Sequence, residues 1–235
     1  MTIGKILFYC ALLAGAVYCA LTLHPAVLFS NNYVYKNMTL YTHDSLKEPP
    51  DKLLSTVYEK ISAGDFYDAD RNLEIYLAGG SVEYSLLALT GAGKFACANP
   101  VSDKVFVASA DIDKNLAYPP GGDRIGRDLA GVISHEVVKI QLKNKFGPLN
   151  YFLMPDWKKE GYAEHLARET QDMNPTDFCH ENTLSDPALP FLENKLIVEL
   201  VTLEDRIGYL VLMTENYSYD SVKARVEQHY CGRKL

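Results

Sequence analysis

Residues 134–139 read Ser134-His135-Glu136-Val137-Val138-Lys139, and residues 156–165 read Asp156-Trp157-Lys158-Lys159-Glu160-Gly161-Tyr162-Ala163-Glu164-His165. These two stretches decide the fold. In the pattern H-E-x-x-H, two imidazoles one helical turn apart share a face and hold Zn²⁺, and the Glu after the first His is the general base. Here the fifth position is Lys139, so an ammonium stands where a ligand is wanted. The second stretch places Glu160 and Glu164 four residues apart, on one face of a helix.

Outward from these stretches, Leu129, Val132, Ile133, Val137 and Ile140 recur at helical spacing, with Phe146 at the end. They predict a long helix over 124–146 that stops at Gly147-Pro148. Residues 149–155 read as an apolar linker, and Asp156 as the cap of a helix from Trp157 to about Glu169. Upstream, Val34-Tyr35 and 38–42 are β-prone and form a first strand. Asp51 caps a helix carrying Leu53, Leu54, Val57, Tyr58 and Ile61, which stops near Gly64. Residues 73–78 and 95–98 read as strands, 105–110 as the best strand, and 81–87 as a short helix capped by Ser81. The acidic loop 111–123 lacks the spacing and closing Glu of a calcium loop. Downstream, 173–190 is turn-rich. Residues 191–213 are apolar at helical spacing, but Glu193, Lys195, Glu199, Glu204, Asp205 and Arg206 exclude a membrane span there. A last helix runs over 221–229. Mixed strands and helices followed by helices alone predict an α+β domain.

The chain has 235 residues, 48% hydrophobic and 23% charged, enough for one domain with a sizeable core. Its net charge is −7, with no Lys/Arg cluster able to track phosphates, so nucleic acid is excluded as a partner. Residues 6–23 carry no charge, and the apolar character continues to Phe29. Residues 1–29 therefore read as an N-terminal anchor crossing a membrane, with a cleaved signal or a buried helix as alternatives. The following domain, 30–235, is expected outside the cytoplasmic membrane, periplasmic or extracellular. Of the five Cys, Cys97, Cys179 and Cys231 lie in this domain. They admit one disulfide with one thiol left over, or three unpaired thiols.

Together the two stretches resemble the gluzincin (peptidase MA-like) zinc metallopeptidases, in which a second helix carries W-x-x-E-G-x-A-E. Residues 157–164 match that motif. The resemblance implies a zincin-like fold: a small mixed sheet packed on the motif helix (30–123), then a helical C-terminal lobe (124–235). It implies His135 as first metal ligand, Glu136 as general base, Glu160 as third ligand, and Glu164 as the acceptor that orients a ligand imidazole. The strand 105–110 would be the sheet edge along which a peptide lies.

Lys139 breaks the pattern. A protonated ammonium has no lone pair for a metal, but it can pair with Glu160, Glu136 or both. His165 is a candidate replacement ligand, although it lies about 140° round the helix from Glu160. His43, His180, His229 and Cys179 could approach only from elsewhere in the chain. Two functions follow. One is a membrane-anchored, non-catalytic relative without cofactor that binds a peptide or protein or serves as scaffold. The other is an active zinc peptidase using His135, Glu160, a further ligand and Glu136.

Overall fold

The computed structural model describes residues 3–88, 91, 93–99, 102–121, 126–179 and 187–232, without the side chains of residues 3, 6 and 7. The architecture is α+β. Five strands form a mixed sheet: β1 (Asn31–Tyr35), β2 (Met38–Thr42), β3 (Leu73–Leu77), β4 (Ala96–Ala98) and β5 (Lys104–Val107), in the order β1-β2-β3-β5-β4. β1 and β2 are an antiparallel hairpin, β2-β3-β5 run parallel, and β4 returns antiparallel to β5. The expected first strand is thus two. A smaller antiparallel sheet joins β6 (Ser109–Asp111), β7 (Leu116–Tyr118) and β8 (Arg127–Asp128).

Period-2 alternation sorts the strands onto two faces. Leu73, Ile75, Leu77, Val105 and Val107 face a core shared with the helices α2 (Asp51–Ser62), α4 (Leu129–Phe146) and α6 (Asp156–Ala167). Tyr76 and Phe106 face the other way, onto Phe29, Tyr84 and Leu87, the last two from α3 (Ser81–Leu87). A second cluster builds the C-terminal lobe from Trp157 and from α7 (Leu189–Asp205), α8 (Tyr209–Thr214) and α9 (Tyr219–Cys231). A short helix, α5 (Pro148–Leu153), occupies the expected linker.

Two further corrections bear on the site and on the N-terminal segment. The strand predicted over 105–110 is split. β5 is internal to the sheet, between β3 and β4, and residues 109–111 leave for the smaller sheet. The edge beside α4 is β4 instead. The second correction concerns 1–29. The apolar run does form a helix, α1 (Ile3–Leu23), with Phe8, Leu12, Leu13 and Val17 exposed. Yet among the described residues no helix is long and apolar enough to cross a membrane, so a spanning anchor is not supported.

α4 is buried almost all round over Leu129–Val138, as a helix central to two layers must be. It starts later than expected, at Leu129. The Asp128 carboxylate accepts from the Gly131 N–H (2.8 Å), and the Asn115 side chain accepts from the Ala130 N–H (3.0 Å). Gly147 ends it at φ 80°. α6 crosses the lobe boundary and packs closely on α7. A Cβ on Gly161 would run into the Asn194 carbonyl oxygen and lie 2.6 Å from Val198 Cγ2. The expected cap Asp156 is instead the first helical residue, where its carboxylate suits the helix dipole. Cys179 and Cys231 form a disulfide, and Cys97 is a buried free thiol.

Gly161→Ala should therefore separate α6 from α7 and destabilise the protein by about 2 kcal/mol or more, the scale of overpacking a tight core. Chemical denaturation measures it, and an unchanged midpoint would show that the helices can part freely.

Candidate functional site

The motif residues of α4 and α6 meet in one buried cluster. His135 Nε2 lies 2.7 Å from Glu160 Oε2. Lys139 Nζ lies 3.2 Å from Glu160 Oε1 and 3.2 Å from Glu136 Oε1, bridging the two carboxylates. The other Glu136 oxygen accepts the Ala98 N–H of edge strand β4 at 2.7 Å. On the far side of the imidazole, His135 Nδ1 faces Glu164 (3.5 Å) and Glu169 (3.4 Å). Glu164 accepts from both the backbone and the hydroxyl of Thr170, at 2.7 and 2.9 Å. The Arg127 guanidinium sits 2.7 Å from Glu169 and stacks over Phe191, whose ring meets His135 edge-on.

Burial and charge oppose one another throughout this cluster. Burial alone pushes the imidazolium of His135 down, but hydrogen bonds to Glu160 and Glu164 and the charges of Glu160 and Glu169 raise its pKa to about 10. Burial likewise works against the Lys139 ammonium. The charges of Glu136, Glu160 and Tyr151 outweigh it and hold the amine far above its ordinary range. Glu160 is pushed up by burial, yet His135 and Lys139 bring it well below the carboxylate range. Glu164 is lowered in the same way, by His135 and Thr170. Glu169 is the exception. Burial wins over His135 and Arg127, and its pKa rises to about 7. The cluster thus sets His135, Lys139 and Arg127 against Glu136, Glu160, Glu164 and Glu169.

At the H-E-x-x-H position the fifth residue supplies an ammonium, so the motif offers only His135 and Glu160 as ligands there, and in this structure those two pair with each other. Two atoms bound tetrahedrally to one zinc at about 2.05 Å lie about 3.3 Å apart. His135 Nε2 and Glu160 Oε2 are instead in direct hydrogen-bond contact at 2.7 Å. A doubly protonated imidazole has no lone pair to give. A different trio, His135, Glu164 and Glu169, brings potential ligand atoms within 4.8 Å of one another. In this trio His135 Nδ1, Glu164 Oε2 and Glu169 Oε2 are buried without a hydrogen-bond partner among the described residues, and the Arg127 guanidinium lies 2.7 Å from Glu169.

The proposed substitute ligands lie elsewhere. His165 Nδ1 pairs with Glu199 at 2.8 Å, and its Nε2 meets the Tyr209 hydroxyl at 2.9 Å, consistent with its angle from Glu160. His43 pairs with Glu83 and stacks on Phe29. His229 packs on Tyr230, Cys179 is in the disulfide, and His180 falls outside the described residues. Sequence reading missed Arg127, Glu169, Thr170, Phe191 and the Ala98 N–H. Arg168 adopts the left-handed conformation (φ 55°) at the end of α6, which turns Glu169 and Thr170 back toward His135. No residue spacing announces that reversal.

The cluster forms the wall of a cleft of about 420 Å³, bounded also by Phe95, Ala96, Val132, Pro190 and Phe191. A smaller hollow of about 150 Å³, also walled by Glu136 and Lys139, reaches Lys143 and Tyr151. What the arrangement offers chemically is an apolar groove with a neutralised, rigid charged wall and an adjacent strand edge.

Lys139→Met strands Glu136 and Glu160 and should cost about 3 kcal/mol, read by chemical denaturation. Adding Glu160→Gln should recover part of the loss. A second expectation follows from His135. Its folded pKa is raised from 6.5 to about 10, so its contribution is complete below 6.5 and is lost as pH rises to 10. The depressed Glu160 contributes only an acid-side loss, below the ordinary carboxylate range. The free energy of unfolding should therefore fall between pH 7 and pH 10, by up to ~1.4 kcal/mol per pH unit, and His135→Gln should flatten that slope in denaturation measured across this range. A slope equal in both proteins would mean that the folded imidazole is neutral.

No protein-family model, no curated protein and no solved structure matches this chain.

Proposed function

We propose that this chain is a non-catalytic, gluzincin-like protein in which an ion-pair network has replaced the metal centre, and that it uses the adjoining cleft to bind a peptide or protein segment. One observation carries the reading: the Lys139 ammonium lies 3.2 Å from both Glu136 and Glu160. The carboxylate at the general-base position is held by that ammonium and by the Ala98 N–H (2.7 Å), so it is committed to structure. The cleft supports binding, since its walls are largely apolar and it borders Ala96 of edge strand β4. An extended segment could be recognised there by its main chain and by pockets for alternate side chains.

The exposed apolar surface of α1 attaches the domain to a membrane in this reading. The Cys179–Cys231 disulfide supports a non-cytosolic side, since such bonds persist in oxidising compartments. The alternative is an active zinc peptidase with His135 and Glu160 as ligands, Glu136 as general base and a further ligand. It requires His135 to shed a proton and Lys139 to leave both carboxylates.

Elemental analysis of the purified full chain decides between them. The expected result is zinc far below one equivalent, with no chelator-sensitive peptide hydrolysis. Stoichiometric zinc, removed by chelator together with hydrolysis, would replace this reading with the alternative. Lys139→His, by contrast, should create zinc binding absent from the parent. If it does not, Lys139 does not stand at a ligand position.

A further inference from the structure

We infer that the cleft beside the Lys139 cluster takes the free C-terminus of a peptide, with the terminal carboxylate on Arg127 and an apolar last side chain against Phe95 and Phe191. The inference rests on the peptide-binding reading above and names the ligand class for that same cleft.

Arg127, on β8, carries the argument. Its guanidinium is held against two aromatic rings, Phe95 at 5.3 Å and Phe191 at 4.8 Å. Its carboxylate partner among the described residues is Glu169, 2.7 Å from Nη2. That nitrogen is buried. Nε and Nη1 also donate to no residue among the described ones, but unlike Nη2 they are not closed off. The side chain keeps 20% of its surface exposed, and the residue lines the cleft. A cation with N–H groups left over in an apolar surrounding is best answered by an anionic oxygen, since charge-assisted hydrogen bonds are about twice as strong as neutral ones.

Lys94 adds to the same field. It precedes Phe95, lines the cleft, is exposed, and is in no ion pair among the described residues. The carboxylates of the wall are already met. Glu136 and Glu160 share the Lys139 ammonium at 3.2 Å, and Glu169 lies against the buried nitrogen of Arg127. An incoming anion therefore finds two cations with capacity to spare.

The apolar lining decides which anion. Phe95, Val132, Pro190 and Phe191 share the cleft with Arg127. An Asp or Glu side chain would deliver its carboxylate with no apolar group at that end. The last residue of a chain delivers both, because its α-carboxylate and its side chain leave the same carbon. Capture of a C-terminal carboxylate is a recurring mode of peptide recognition, and Arg with aromatic neighbours is a common anchor.

Fluorescence anisotropy of the full chain with a labelled peptide mixture, randomised except for a last Phe or Leu, tests this. The mixture is used as free acid, as C-terminal amide, and as an amide with one fixed internal Glu. The free acid should bind more tightly than either amide by about tenfold or more. Arg127→Lys keeps a cation beside Glu169 but gives up the stacked, fixed donors, and should bring the free acid down to the level of the amide. Lys94→Ala, an exposed change outside the core, should narrow the difference between acid and amide, and it keeps the test decisive if Arg127→Lys fails to fold. Equal affinity for acid and amide, a preference for the internal Glu, or an undiminished acid preference in either folded variant would overturn this inference and leave peptide binding itself in place. Binding by none of the three mixtures would remove the peptide-binding reading along with it.

Discussion

An ammonium held between two carboxylates is the contact on which the rest of this structure turns. Lys139 lies 3.2 Å from Glu136 on its own helix and 3.2 Å from Glu160 on the next. It is the cation shared by both carboxylates, which otherwise have only His135 (for Glu160) and the Ala98 N–H (for Glu136), and removing an underpaired charge from water is costly. The pairing also ties three elements together. Glu160 joins α4 to α6, and Glu136 reaches the Ala98 N–H of β4 at 2.7 Å. The edge of the sheet, the central helix and the first helix of the C-terminal lobe are thus clamped around one cation. The geometry of the cleft follows from that clamp.

Packing keeps the clamp short. α6 must lie against α4 on one side and α7 on the other. Gly161, directly after Glu160, allows the second approach, since any side chain there would strike the Asn194 carbonyl. Tyr162 fixes the first, buried in the main core with its hydroxyl accepting from the Asp65 N–H at 2.9 Å. The Cys179–Cys231 bond holds the far end of the lobe, closing α9 onto the chain that leaves α6. None of these constraints depends on the buried charges. Together they supply the free energy that buried ion pairs, whose desolvation offsets much of their attraction, do not supply on their own.

Much of this was legible in the residues, and the reasons differ from element to element. Helical periodicity exposed α2, α4, α6 and α7, because a buried stripe needs apolar residues every three or four positions. Helical spacing put His135 and Lys139 on one face, and the resemblance to the gluzincin motif implied that Glu160 would meet them. The strand 105–110 was misjudged because a run of β-prone residues does not say whether its hydrogen bonds stay in one sheet. Here Ala108 is the last residue held to the large sheet, by a 2.9 Å bond from its N–H to the Phe95 carbonyl. Arg127, Glu169 and Phe191 were invisible. They reach His135 from three separate places in the chain, and only the folded backbone brings them together.

The charge balance says why Lys139 can stand where a ligand would stand. With zinc and two neutral imidazoles, such a site carries +2 opposite its carboxylates. Here an imidazolium and an ammonium carry the same +2, and the His135 pKa of about 10 keeps the first of them charged through the neutral range. The formal charge opposite Glu136, Glu160 and Glu164 is therefore the same in the two cases. Neither cation is a Lewis-acidic centre with an open position. A metal at this cluster would need more than a lone pair at position 139. His135 would have to release the proton it shares with Glu160, so any zinc affinity gained by substitution must rise steeply with pH as protons are released. Metal binding and proton release are therefore coupled at this cluster.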